Sequence, residues 1–157
     1  QNPMMMELLK TAVKQPLKVN QLQLSAAFTP SFEAGFHVNM EGPKAAVRDG
    51  SVFEYCRLTD TVIQAWSVLQ HGYFKGNFVG KEEFAALNHV LNDLAKKYQV
   101  TPTAIALAWV LRYPGKMQAI IGTTNPRHVL EAGKAAAVTL TRKEWYQIYL
   151  AAGNDLP

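Results

Sequence analysis

Residues 117–132, MQAIIGTTNPRHVLEA, combine a short apolar run, a polar turn and the start of a helix. The apolar run has a length that favours a buried strand. Asn125 followed by Pro126 is typical of a helix N-terminus, with a capping side chain and then a proline at the first helical position. Such a strand–turn–helix unit directs free N–H groups and a positive dipole end at one point, which suits an anion. The alternative is an ordinary β-to-α turn with a good cap.

The composition bounds the kind of protein. The chain has 157 residues, a formal net charge of +4 and 48% hydrophobic residues, which fits one globular domain. The basic excess is compatible with an anionic ligand but is too small and scattered to indicate nucleic-acid binding. The longest apolar run, residues 104–111, is far shorter than a membrane span. We therefore expect neither a nucleic-acid partner nor a membrane partner.

The single cysteine, Cys56, excludes an intrachain disulfide and fits a reducing compartment. The first ten residues, QNPMMMELLK, lack the features of a signal peptide, so we expect a cytoplasmic protein. No metal site is predicted.

Hydrophobic periodicity predicts three strands separated by helices. The strands cover residues 17–24, 61–66 and 117–121, and helices cover or begin at residues 3–15, 32–38, 81–99, 103–113, 126 and 142. This alternation indicates parallel strands joined by right-handed crossovers. Because a parallel sheet needs both faces covered, three such strands indicate part of a larger (β/α)8 barrel, within an α/β fold class.

Each predicted strand ends in a polar or aromatic cluster, at residues 21–25, 66–72 and 122–125. In a (β/α)8 barrel these ends share one rim, where active sites lie and where a helix N-terminus often holds phosphate. Gln21 is either a satisfied core amide or a ligand-facing group. For Trp66 the usual interpretation is a core residue.

Four blocks carry a resemblance to a known family. They are VNQLQLS (19–25), IQAWSVLQHG (63–72), TPTAIALAWVLRYPGKMQAIIGTTNPRHV (101–129) and LTRKEWYQIYLAAG (140–153). Together they resemble the aldo-keto reductases, in particular the YdhF-like bacterial oxidoreductases. The resemblance implies that residues 1–157 form one C-terminal part of the family barrel, carrying its sixth, seventh and eighth strands. The N-terminal half of the barrel, or a second copy, would then be needed to cover them.

The resemblance also implies a nicotinamide cofactor, NADP with NAD as the alternative. Gln21 matches the family glutamine that hydrogen-bonds the nicotinamide carboxamide. Trp66 matches the aromatic residue on which the nicotinamide ring stacks. The loop over the pyrophosphate would contain Ser67, Leu69, Gly72 and, as a weaker candidate, Lys75.

The third strand end would hold the adenosine part of the cofactor. Gly122, Thr123 and Thr124 match the loop around the 2′-phosphate, His128 replaces a common arginine, and Glu131 stands where an acid or amide meets adenine. The family often has lysine at the position of Gly122, and a histidine is only partly charged near neutral pH. The choice between NADP and NAD therefore stays open, since the Arg127 side chain should point elsewhere.

The family's catalytic Asp, Tyr, Lys and His lie on its first four strands, and none of those blocks occurs in these residues. The resemblance thus implies a parent NADP-dependent reductase of small carbonyl substrates, with no catalytic residue in this chain and no activity for the chain alone. Two alternatives are a non-enzymatic nucleotide-binding or regulatory module, and a ligand-free structural fragment completed by another chain.

Overall fold

The computed structural model describes residues 1–31, 33, 51–72 and 75–156. The short helix predicted for residues 32–38 lies outside this part of the chain except at residue 33. The secondary structure below refers to these described residues.

Three strands alternate with helices, in the predicted order. The elements are α1 (Pro3–Ala12), β1 (Val19–Gln23), α2 (Ser51–Leu58), β2 (Val62–Trp66), α3 (Ala85–Tyr98), α4 (Pro102–Leu111), β3 (Met117–Ala119), α5 (Pro126–Gly133) and α6 (Arg142–Ala151). Two 3-10 turns, Glu82–Phe84 and Lys134–Ala137, precede α3 and follow α5. The helix α2 was not predicted, because its eight residues give too few turns for the spacing of Phe53 and Cys56 to stand out.

The strands form one sheet in the order β1-β2-β3, and both pairs are parallel, as predicted. Gln21 is paired with Gln64, and Gln64 in turn is paired with Gln118. β3 is two residues shorter than predicted, although Ile120 still donates its N–H to the Ala65 carbonyl at 2.8 Å. The parallel pairing places the carboxyl ends of β2 and β3 side by side.

One face of the sheet is covered by helices and is apolar. Ile63 and Ala65 point to this face and are fully buried. Behind them α4 is buried from Ala104 to Val110, because its sequence is apolar all round. The indole N–H of Trp109 donates to the Trp145 carbonyl at 3.0 Å, and that of Trp145 donates to the Trp109 carbonyl at 3.0 Å. This reciprocal pair fixes α6 against α4.

The opposite face of the sheet is open. Val19 is 47% exposed and Ile120 is 37% exposed, although both are apolar and β-branched. Neither β1 nor β3 pairs with a further strand in the described residues. No helix in this part of the chain combines the length and the apolarity needed to cross a membrane.

The side chain of Glu144 ties α6 to α3. It accepts a hydrogen bond from the Thr141 N–H at 2.7 Å, in a capping box that the residues TRKE at 141–144 predict. It also accepts one from the Tyr98 hydroxyl at 2.8 Å and pairs with Lys97. Burial raises the pKa of Glu144, but the hydrogen bonds from Lys97, Thr141 and Tyr98 outweigh burial and hold that pKa at about 2. The ionised form of Glu144 therefore stabilises the folded chain.

We expect Glu144→Gln to lower the free energy of unfolding near neutral pH by up to about 3 kcal/mol, the equivalent of the pKa difference. Because the folded-state pKa lies below the ordinary 4.5, the stabilisation is complete above about pH 4.5 and is lost as the pH falls towards 2. Denaturant unfolding at fixed protein concentration should show a shallower acid slope for the variant. The exposed Glu83→Gln serves as the control, and equal slopes for Glu144→Gln and the unmodified protein would contradict the assignment.

The open face generates a second prediction. Each large apolar side chain left in water forgoes about 1.5–3 kcal/mol of burial, and the free edges offer unpaired N–H and C=O groups. We expect the purified 157-residue chain to associate through this face, or to bind strands from another chain, as measured by light scattering. Val19→Lys should reduce association, whereas Val129→Lys, at a valine 44% exposed on α5, should not. A monodisperse monomer of the unmodified chain would show that the face needs no cover.

Candidate functional site

A cleft of about 500 Å³ opens at the carboxyl ends of β2 and β3. It brings together two of the three predicted strand-end clusters. Of the candidate residues, the cleft is lined by Trp66, Ser67, Leu69, Gly122, Thr123, His128 and Glu131. Gln21, Gly72 and Thr124 are not among its lining residues.

The wall formed by β2 begins at Trp66, which is half-buried, so part of its side chain is accessible from the cleft. Ser67 follows with a left-handed φ of 54°, an uncommon conformation for a residue with a side chain. This turn is held by the Gln70 N–H, which donates to the Ser67 carbonyl at 2.8 Å. The Ser25 hydroxyl donates to the Gln70 carbonyl, so the end of β1 supports the same loop.

The backbone conformation of Gly72 helps to determine the shape of this loop. It is buried with a φ of 146°, and a Cβ added there would lie 3.1 Å from Cδ of Lys75. A side chain at this position would therefore be strained and would crowd Lys75. Gly72 therefore shapes the loop, its contact with a ligand stays a prediction, and Lys75 is exposed.

The opposite wall is the turn between β3 and α5. The Asn125 side chain accepts a hydrogen bond from the Arg127 N–H at 3.0 Å, which confirms the predicted cap. The Asn125 N–H donates to the Thr123 hydroxyl at 3.2 Å, and that hydroxyl lies 3.5 Å from Nδ1 of His128. The turn thus sets a hydroxyl and an imidazole together beside the helix N-terminus.

The charged side chains on α5 do not all line the cleft. Arg127 does not line the cleft, and its Nε lies 3.0 Å from a carboxylate oxygen of Glu131. This ion pair partly neutralises Glu131, the one carboxylate among the lining residues. The cleft therefore presents hydroxyls, a histidine and the positive end of α5, which together suit an anionic group.

Gln21 lies outside the cleft, on the open face of the sheet. The interpretation of Gln21 as a core amide is wrong, because Gln21 is exposed, whereas its neighbour Asn20 is buried at 5% exposure. The side chain of Gln21 donates from Nε2 to Oε1 of Gln64 at 2.9 Å, and Gln64 donates likewise to Gln118 at 2.9 Å. This glutamine ladder lies two residues before Trp66 along the strands, a rise of roughly 7 Å.

The structure adds lining residues that the sequence did not indicate. Gln70 belongs to the predicted cluster at residues 66–72, but Asn77 from the loop after β2, and Thr103 and Leu107 from α4, were not indicated. Because α4 is apolar around its whole circumference, no periodicity shows which of its residues face the cleft. The described residues contain no group of three or more side chains suited to hold a metal.

Comparison with known proteins gives a family match. A family model described as "Aldo/keto reductase family" matches residues 6–151. A 6-dehydroglucose reductase from Agrobacterium fabrum is 31% identical over 151 residues, covering 95% of this chain and 43% of the relative. The oxidoreductase YdhF from Escherichia coli is 32% identical over 95 residues, covering 59% of this chain and 30% of the relative. The chain thus spans less than half the length of these relatives.

Solved structures show the same fold. The thermostable aldo-keto reductase Tm1743 aligns with a TM-score of 0.66 at 18% identity, over 96% of this chain and 46% of its own. A Gox0644 variant solved in complex with NADPH aligns with a TM-score of 0.61 at 18% identity, over 96% of this chain and 44% of its own. Together with the three parallel strands, these likenesses confirm the predicted partial (β/α)8 barrel.

Proposed function

Since this chain belongs to the aldo/keto reductase family, we propose that the cleft at the carboxyl ends of β2 and β3 binds NADP, with NAD as the alternative. We further propose that the full-length protein reduces small carbonyl compounds, and that residues 1–157 supply one C-terminal part of its barrel. The observation that carries this proposal is the meeting of Trp66, the loop after β2 and the N-terminus of α5 in one cleft. That cleft offers an aromatic surface at one end and an anion site at the other.

The aromatic end suits the nicotinamide ring. Trp66 is half-buried at the carboxyl end of β2, and a flat ring gains about 0.5–1.5 kcal/mol from an aromatic partner beyond simple burial. Gln21 lies on the face of the sheet that Trp66 also faces, and the ladder through Gln64 holds its amide in place. We assign Gln21 to the nicotinamide carboxamide on this basis and on the family resemblance.

The opposite end suits phosphate. We assign the pyrophosphate to the loop after β2, where Ser67 and Leu69 line the cleft. Thr123, Thr124 and His128 lie around the start of α5. Glu131 lies one turn further along that helix, on the side proposed for adenine. A Cβ added to Gly122 would meet no atom within 4 Å, so the structure leaves open the space where relatives often carry lysine. Without that lysine the preference for NADP rests on Thr123 and His128.

The chemistry of such a reduction needs a hydride for the carbonyl carbon and a proton for the carbonyl oxygen. NADPH supplies the hydride when it is bound, and the protein must supply and position the proton donor. The titratable side chains that line the cleft in the described residues are His128 and Glu131, both at the end proposed for adenosine. Neither lies at Trp66, and the resemblance puts the family's catalytic residues on strands outside residues 1–157. We therefore assign the proton donor to that part of the full-length protein.

A non-enzymatic nucleotide-binding or regulatory module uses the same cleft without that donor. Such a module needs only the aromatic surface and the turn before α5 that the cleft provides, and it is therefore the second candidate. A ligand-free structural fragment would bind no nucleotide at all. These candidates give different results in the two experiments below.

We expect Trp66→Ala in the full-length protein to weaken NADPH binding by about 1 kcal/mol, or roughly fivefold, because a stacking partner is lost. Trp66→Phe keeps a flat ring and should bind within about twofold of the unmodified protein. Fluorescence titration gives the affinity, and denaturant unfolding gives the stability of the same samples. Unchanged affinity per folded molecule, with a loss of about 3–5 kcal/mol of stability, would instead assign Trp66 to the core. No binding by the unmodified protein would leave only the structural role.

The 157-residue chain alone should show no carbonyl reduction, because none of the family's catalytic sequence blocks occurs in it. Among the described residues that line the cleft, no titratable side chain lies at Trp66. Purified chain is assayed with NADPH and a panel of aldehydes, following absorbance of the reduced nicotinamide. The full-length protein assayed in parallel is the control, and its inactivity towards every carbonyl tested would favour the regulatory module. Turnover by the chain that a substitution within residues 1–157 abolishes would contradict the assignment.

A further inference from the structure

A second cleft lies at the other end of the strands. It has a volume of about 360 Å³ and lies between α2, the C-terminal end of α4 and the start of α6. Because α2 ends just before β2 and α4 ends just before β3, this cleft is at the amino ends of the strands. Its lining residues are Glu54, Arg57, Arg112, Tyr113, Pro114, Arg142, Trp145 and Tyr146, and none of them lines the first cleft.

Three arginines converge on this second cleft, against a single carboxylate, Glu54. Arg112 donates from Nε to the Leu140 carbonyl at 2.9 Å, and Arg57 hydrogen-bonds the Tyr113 hydroxyl. In the described residues no ion pair joins any of the three guanidinium groups to a carboxylate. Guanidinium groups match carboxylate and phosphate oxygens in two parallel hydrogen bonds, so an anion would relieve the mutual repulsion.

The floor of the cleft is aromatic and rigid. Trp145 is 8% exposed and stacks on Trp109, with ring centroids 4.8 Å apart and planes 9° from parallel. Tyr146 meets Trp145 edge-on at 5.1 Å, and the Arg142 guanidinium lies 5.8 Å above the Tyr146 ring. These contacts hold aromatic surface next to the charged groups, which favours a ligand with a flat ring.

Tyr113 completes the wall between α4 and β3. Its ring packs edge-on against Phe53 at a centroid distance of 4.9 Å. Burial, and then the nearby Glu54 carboxylate, raise the pKa of Tyr113 to about 12, so its hydroxyl stays neutral at ordinary pH. The wall therefore adds a hydrogen-bonding group without adding negative charge.

We propose that this amino-end cleft is a second binding site, specific for small aromatic carboxylates. The carboxylate lies among Arg57, Arg112 and Arg142. The ring lies against Tyr146, since Trp145 is 8% exposed and already stacks on Trp109 and Tyr149. The volume is within the range of small-molecule sites. This proposal does not depend on the function proposed for the first cleft, because the two clefts share no residue.

Calorimetric titration of the purified protein with 1-naphthaleneacetate tests the proposal, with folding of every sample checked by circular dichroism. We expect one molecule bound per chain. 1-Naphthaleneethanol, which has the ring but no charge, and acetate, which has the charge but no ring, should each bind at least about tenfold more weakly.

Variants locate the bound anion. Arg57→Gln and Arg142→Gln should each weaken naphthaleneacetate binding by about tenfold, and Arg142→Lys, which keeps the charge but loses the fork, should give an intermediate loss. Lys143→Gln removes the same charge at the next, exposed position of α6, outside the cleft, and should leave the affinity unchanged. Two results would overturn the proposal in folded protein: equal binding of the neutral alcohol, or no saturable binding of the carboxylate. An equal loss in Lys143→Gln, or in His128→Gln of the first cleft, would overturn it as well.

Discussion

The parallel pairing of β2 with both of its neighbours is the constraint on which the rest of this structure depends. Parallel strands all end on the same edge of a sheet, so the residues that follow β2 and β3 must meet there. Ile63 lies opposite Met117 and Ala65 lies opposite Ala119, which brings Trp66 and the turn before α5 to one level. By the same geometry, the residues that precede the strands lie together at the amino ends of the sheet, where the second cleft lies.

The sheet must be covered by an apolar layer on at least one face, and α4 provides the centre of that layer. This helix is apolar around its whole circumference, so it packs against the sheet on one side and against α3, α5 and α6 elsewhere. The reciprocal indole hydrogen bonds between Trp109 and Trp145 satisfy two donors that burial would otherwise leave costly. Both clefts border this helix, since Leu107 lines the first and Arg112 follows its end in the second. The packing of α4 therefore positions the walls of both clefts.

Much of this fold follows from local sequence signals. The three strands, the Asn125 and Thr101 caps and the capping box at Thr141 were all predictable, because each depends on residues close together in the chain. The helix α2 was missed because eight residues give only two turns of pattern. Whether Gln21 is a core amide or faces outward stayed open, because alternation alone does not state which face of a strand the helices cover.

The residues of the clefts also differ in whether local sequence signals could identify them. Trp66, Ser67 and Thr123 were identified from the ends of predicted strands, whose common edge is a property of parallel sheets. Their neighbours Gln70 and Thr103 depend on loop conformation and on the rotation of α4, which no local pattern specifies. The second cleft was not identified, because Arg57, Arg112 and Arg142 are far apart in sequence and are brought together only by tertiary packing.

The side chains on the open face of the sheet show where a covering strand or a ligand would be stabilised. Val19 and Ile120 on this face would be stabilised by a covering strand or chain. The three side chains Gln21, Gln64 and Gln118 would be costly to bury as separate amides. The ladder removes much of that cost, since two of the three amides donate to a neighbour within the sheet at 2.9 Å. One further amide is different: Nε2 of Gln23 is buried without a hydrogen-bond partner in the described residues. Gln23 is the register partner of Trp66, so the unmet polar demand of this face lies beside the proposed nicotinamide position, where a covering strand or a ligand can supply an acceptor.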